Sequence, residues 1–197
     1  MRLFSYVVRY DVGFAPNPFH GVCTLATCKP EIRRTAAIGD WVVGTGSAER
    51  RRSGRLVYAM RVDETLTFEQ YWADERFRRK RPTMLSSLKM AYGDNIYHRD
   101  EAGGWQQEDS RHTLPDGTIN PGHVLRDTSA DTVLVSGHYS YFGGRGPAVP
   151  THLRTSYDED FVAGRGHRSR FSPAHVDAAL DWLGGLERGY LGDPTDW

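Results

Sequence analysis

Over residues 3–10 the alternating sets Leu3, Ser5, Val7, Arg9 and Phe4, Tyr6, Val8, Tyr10 are both largely apolar, which predicts a central strand covered on two faces. A loop rich in glycine, proline and asparagine spans 11–21, and the short apolar run 23–28 fits either strand or helix. Pro30 then opens a short helix over 31–36, with proline at its first position and Gly39 as its stop. Runs rich in β-branched and aromatic residues at 38–47 and 54–62 flank an arginine-rich turn and predict adjacent antiparallel strands. Gly39-Asp40 marks a tight entry into the first of these. Its end, Gly44, Thr45, Gly46 and Ser47, carries so little side chain that the backbone is open to a ligand, making it a candidate pocket wall.

Thr67-Phe68-Glu69-Gln70 has the capping-box pattern and places Phe68, Tyr71 and Trp72 on one helical face before Pro82 ends the segment. Residues 86–131 read as a long polar and aromatic loop, a length seldom left unstructured without a use. Strand character resumes over 132–136 and 139–142, and Ser172-Pro173 starts a last helix striped by Val176, Ala179, Leu180, Leu183 and Leu186. This order predicts an α+β fold, a small, strongly bent sheet or closed barrel with short flanking helices and a C-terminal helix.

A chain of 197 residues, 39% hydrophobic and 12% aromatic, can bury one sizeable core, so a single domain over 1–197 is expected. No apolar run approaches the ~20 residues that span a bilayer, and a strand-like start replaces a signal peptide, so a cytoplasmic protein without a membrane partner is expected. Cys23 and Cys28, in one C-x4-C segment, are too few for a disulfide scaffold and fit a reducing compartment. Basic and acidic residues balance at 25 each, which removes the overall positive field of a non-specific nucleic-acid binder. The cations are nonetheless clustered. Arg50, Arg51 and Arg52 in one loop, and Arg78, Arg79, Lys80 and Arg81 in another segment, are candidate contacts to a phosphate backbone, although most such runs are solvated faces.

Three segments carry a resemblance: 21–30, beginning Gly21-Val22-Cys23-Thr24; 39–47, beginning Gly39-Asp40-Trp41; and 93–100, beginning Gly93-Asp94-Asn95. With Val133-Leu134-Val135-Ser136 leading to Tyr141-Phe142-Gly143-Gly144, they resemble the second family of nucleotide-modification-associated domains, proteins linked to DNA base hypermodification systems. The resemblance implies a role in modifying or recognising unusual bases. A fold-level resemblance to the PUA-like superfamily, including the EVE, ASCH and YTH groups, rests on the strand 3–10, the short helix and Gly39-Asp40, and implies a pocket for a modified base.

Two constellations suit such a ligand. Asn17, His20, Thr24, Thr27, Cys28 and Lys29 beside the short helix could bind an anion, unless the threonines merely pack and Lys29 is solvated. Asp94, Asn95, Tyr97, His98, Trp105, Gln106, Glu108, Ser110 and His112 combine amides that read a base edge, rings that stack on it and imidazoles that move protons, unless they form a polar loop folded on itself. Cys23 and Cys28 with His20, His98 or His112 lack the spacing and the second pair of a zinc site, so no metal is expected. No phosphate or dinucleotide loop is present, and no cofactor is expected. The leading reading is recognition of a modified nucleobase in nucleic acid, DNA in particular. The alternatives are an enzyme acting on a modified base or nucleotide, with His98 or His112 as general base and Cys28, Lys29 or Asp94 as partner, and a protein-interaction module. The expected partner is nucleic acid or a modified nucleotide.

Overall fold

The computed structural model describes residues 1–154 and 159–197. Its central sheet begins with β1 (Leu3–Val8), which runs parallel to β3 (Trp41–Gly46) from Leu3 opposite Trp41 to Val8 opposite Gly46. β3 pairs antiparallel with β4 (Leu56–Arg61), as two adjacent runs predict. The sheet continues through β9 (Tyr139–Tyr141) to β11 (Gly189–Tyr190) on one side and closes its other side with β10 (His167–Arg168). The two outer strands do not pair, so among the described residues the sheet is open: of the two expected forms, an α+β fold on an open sheet is found and the closed barrel is not.

A second sheet, β2 (Cys23–Leu25), β8 (Val133–Ser136) and β5 (Glu64–Leu66), together with α1 (Pro30–Thr35), covers one face of the first. Phe4, Tyr6, Val42, Tyr58 and Met60 meet Leu25, Ile32 and Leu134 there. On the opposite face Leu3, Trp41, Val43 and Ala59 pack with Phe161 and with Ala179 and Leu183 of α5 (Pro173–Gly184). β1 is therefore buried on both sides, which explains its two apolar sets. α2 (Phe68–Ala73) forms with the expected capping box on Thr67 and Gln70, and buries Phe68 and Tyr71 in a third cluster with Ile96, Tyr97 and Val133.

The stretch 86–131 corrects the loop expectation. It contains α3 (Leu88–Ala91), the hairpin of β6 (Tyr97–Arg99) and β7 (Trp105–Gln107), and α4 (Pro121–Thr128). The β6 and β7 strands are too short for alternation to be legible, and α4 is signalled by its start, where Asn120 caps the helix and Pro121 takes the first position.

Gly44 is required by packing: a Cβ there would lie 2.5 Å from the Tyr58 ring and 2.6 Å from Val8. Gly44→Ala should destabilise the protein by about 1–3 kcal/mol through overpacking. Gly164→Ala, where nothing among the described residues lies within 4 Å of the added carbon, should change stability by less than about 0.5 kcal/mol. Thermal denaturation of the two variants checks the contrast.

Candidate functional site: a thiol, an imidazole and a carboxylate

After β2 the chain reverses through two consecutive non-glycine residues in the left-handed region, Cys28 at φ 58° and Lys29 at φ 42°. Each costs roughly 1–2 kcal/mol relative to ordinary backbone, and such conformations persist only where the surroundings hold them. Here the Cys28 N–H donates to Asp127 Oδ1 at 3.1 Å and Arg33 Nε donates to the Cys28 carbonyl at 2.9 Å. Arg33 is fully buried. Its Nη1 reaches the carbonyls of Ala130 and Thr132, both at 2.7 Å, and its Nη2 bonds the Asp127 carbonyl. The start of α1 is thereby tied to the end of α4.

Asp127 is fully buried, and its carboxylate is saturated. Oδ1 accepts from the Cys28 N–H and, at 3.2 Å, from Arg126 Nε; Oδ2 accepts from the Tyr97 hydroxyl at 2.9 Å and is 2.8 Å from His112 Nδ1. A carboxylate only accepts, so Nδ1 carries the proton and Nε2 faces Cys28 Sγ, 3.6 Å away. His112 comes from the loop after β7, where its N–H donates to Ser110 Oγ and its ring packs edge-on against Phe14 at 4.7 Å between centroids.

Burial opposes charge on His112, but the bonds to Asp127 and Cys28 outweigh it and raise the imidazole to about 9. Burial likewise opposes charge on Asp127, and the His112 bond, with His112 and Arg126 nearby, wins and holds the carboxyl below its usual range. The imidazolium–carboxylate pair is the stable state at neutral pH. Burial pushes the Lys29 ammonium down, and pushes the second thiol, Cys23, up to about 12. Cys28, Lys29, His112, His123, Arg111 and Arg126 line one side of a cavity of about 560 Å³ whose other wall is Tyr6, Tyr10, Val12 and Phe14.

Ligand atoms of Cys28, His112 and Asp127 lie within 4.8 Å of one another, close enough to share a metal ion. Each carboxylate oxygen already accepts two hydrogen bonds, however, and His112 Nδ1 is committed to Asp127. The donor set fits a hydrogen-bonded relay better than a ligand cage.

Of the residues singled out from sequence, Cys28, Lys29 and His112 meet in this cavity, and Tyr97 and Ser110 sit directly behind it. Others are spent inside the fold. Asp94 accepts from Thr24 and Tyr71, both at 2.7 Å, and Asn95 donates to the Tyr71 carbonyl at 3.0 Å. Asn17 donates to the Tyr92 carbonyl and receives Lys80 Nζ at 2.6 Å, while Thr27 Oγ1 is buried without a partner among the described residues. Lys80 is 1% exposed, so it holds loops together and cannot reach a phosphate backbone. Gly44, Thr45, Gly46 and Ser47 are buried and line none of this cavity; a Cβ at Gly46 would meet the Arg52 carbonyl at 2.4 Å.

His98 bonds Glu108 at 2.8 Å and stacks on Trp72 with centroids 4.1 Å apart, and Trp105 is covered by Phe68 and by Arg99. Arg81 bonds the Trp72 carbonyl and lies over its ring; Arg78 pairs with Glu75. Arg79 is exposed beside a second cavity, and Arg51 is exposed at φ 55°. Arg52 turns inward to Asp11, Asp196 and Thr195, and Arg50 pairs with Asp196 at 3.7 Å and lies 5.1 Å from the Tyr10 ring. Sequence reading missed Asp127 and Arg33. Asp127 sits 15 residues from His112 and 99 from Cys28, so only the fold relates them.

Fold and site together define a mixed α+β protein with a thiol, an imidazole and a carboxylate hydrogen-bonded in line at the floor of a cavity. The chain belongs to the nucleotide modification associated domain 2 family, whose model it matches over residues 1–197. No curated protein and no solved structure matches it.

The His112 shift makes a prediction about stability. Its folded-state value lies above its free value of 6.5, so its contribution is complete below about pH 6.5 and is lost as pH rises through about 9. The loss should be on the order of 3 kcal/mol, and Asp127→Asn should flatten it. Lys80, depressed to about 8 by burial, acts in the opposite sense above pH 8, so the difference between wild type and variant in urea denaturation across this range is the measurement.

Proposed function

We propose that this protein is a cysteine-dependent enzyme of a nucleotide-modification system, acting on an acyl group carried by a nucleotide. The observation that carries this reading is the 3.6 Å approach of Cys28 Sγ to His112 Nε2 with Asp127 fixing the opposite ring nitrogen. Nucleophile, base and orienting group stand in the order that thiol catalysis requires. Cys28 Sγ bonds to the carbonyl carbon as the bond to the leaving group breaks, and His112 passes the thiol proton to the departing nitrogen or oxygen. Water then attacks the thioester and gives a proton to His112, which passes it to the departing sulfur, freeing the acid and the thiol. A protonated His112 stabilises the thiolate before attack.

Recognition of a modified nucleobase is the second reading, and Tyr10 favours it. Tyr10 is 42% exposed at the cavity wall, with Arg9 and Arg50 at 5.2 and 5.1 Å from its ring centroid, a surface on which a base stacks.

Incubation with a panel of modified nucleosides, nucleotides and DNAs, followed by mass spectrometry of products and of the protein, tests both. Turnover with transient acylation of Cys28, abolished in Cys28→Ala and reduced by at least ~10²-fold in His112→Ala, supports the enzyme. Selective binding with no turnover, weakened by Tyr10→Ala and indifferent to Cys28→Ala, supports the reader.

A further inference from the structure

Each of the three groups of the relay has a cation as its neighbour in the chain. Lys29 follows Cys28, Arg111 precedes His112 and Arg126 precedes Asp127, and all three cations line the cavity. Arg126 serves the relay by donating to Asp127, but no bond of the relay uses the side chain of Lys29 or Arg111. Among the described residues no aspartate or glutamate lines this cavity.

The cations also differ in how they are neutralised. Arg126 is engaged by Asp127, and Arg9, which also lines the cavity, by Glu49 at 2.9 Å. Elsewhere on the surface Arg2, Arg34, Arg61 and Arg76 each face a carboxylate. Lys29 and Arg111 have no acidic partner among the described residues. Lys29 is half-buried, with its ammonium 4.5 Å from the Tyr6 ring centroid. A half-buried ammonium without a counter-ion is unfavourable unless an anion arrives to join it.

We infer that the substrate presented to Cys28 carries a phosphate, held between Lys29 and Arg111 with Arg126 at its edge, so that the site selects nucleotides over nucleosides. A phosphate, with oxygens directed to several donors, matches two or three converging cations better than a single carboxylate does. Tyr10 and Phe14 leave the remaining wall for the apolar part of the ligand. This inference rests on the reading of Cys28 as the nucleophile.

Two alkylating reagents of nearly equal size separate the claims. Iodoacetate is an anion and iodoacetamide is neutral, so the ratio of their rates at Cys28, read by peptide mass mapping on the full chain and compared with the same ratio for glutathione, reports the charge of the cavity alone. At low ionic strength the ratio should exceed that of glutathione by about tenfold and fall toward it in salt. Lys29→Met or Arg111→Met should lower it severalfold; Arg111 is exposed, so its variant keeps the test decisive if Lys29→Met fails to fold.

Thymidine 5′-monophosphate should protect Cys28 from iodoacetamide at concentrations where thymidine does not. Protection by a short oligothymidylate at lower concentration assigns the phosphate to a strand; stronger protection by the mononucleotide assigns it to a free nucleotide. A ratio equal to that of glutathione, or equal protection by thymidine, overturns the inference. Labelling of Cys28 by either reagent no faster in wild type than in His112→Ala overturns the nucleophile reading instead.

Discussion

The site depends on one buried carboxylate that must be fully paired. Removing Asp127 from water is costly unless every lone pair finds a donor, and the four donors it finds come from α1's approach, β6, the 108–120 loop and α4 itself. Satisfying that single charge therefore fixes where Cys28, Tyr97 and His112 stand. Arg33 supplies the complementary constraint. Its guanidinium ties the carbonyls of Cys28, Asp127, Ala130 and Thr132, so the strained turn carrying the thiol cannot relax without unpairing a buried cation.

The layers give this arrangement its stiffness. Ile32 of α1 packs into the core under the central sheet, and Tyr97 of β6 packs with Phe68 and Val133. Cys28 and His112 stand on turns, but those turns are pinned to α1, β6 and α4 by the bonds of Asp127 and Arg33, and Sγ and Nε2 are held near contact before any substrate binds. Preorganisation of this kind matters because a displacement of about 1 Å between reacting groups costs as much as ~10²-fold in rate. The second thiol illustrates the contrast: Cys23 is fully buried and packs as a small apolar group.

Much of the fold was legible because burial imposes periodicity. The doubly apolar pattern of β1, the paired runs of β3 and β4, the capping box of α2 and the stripe of α5 all follow from faces that meet a core. The region 86–131 was opaque because its strands have three residues each and α4 is mostly polar. In the site, Cys28, Lys29 and His112 stood out by residue type. Asp127 did not, since its partner relation spans distant segments, and Asp94, Asn17 and the Asn95 amide nitrogen, which also stood out by polarity, bond to Tyr71, Thr24, Lys80 and backbone carbonyls. Gly44 and Gly46 are small because Tyr58 and Arg52 press on them, not because a ligand does.

The central claim is that Cys28, His112 and Asp127 form one coupled unit. Nitrogen-15 NMR of the histidine rings, titrated from pH 5 to 10 in wild type and in Cys28→Ala, measures it directly. The account predicts a His112 signal protonated at Nδ1 throughout, titrating near 9, and shifting to lower pH when the sulfur is removed. A His112 that titrates near 6.5 and ignores the loss of Cys28 would contradict it.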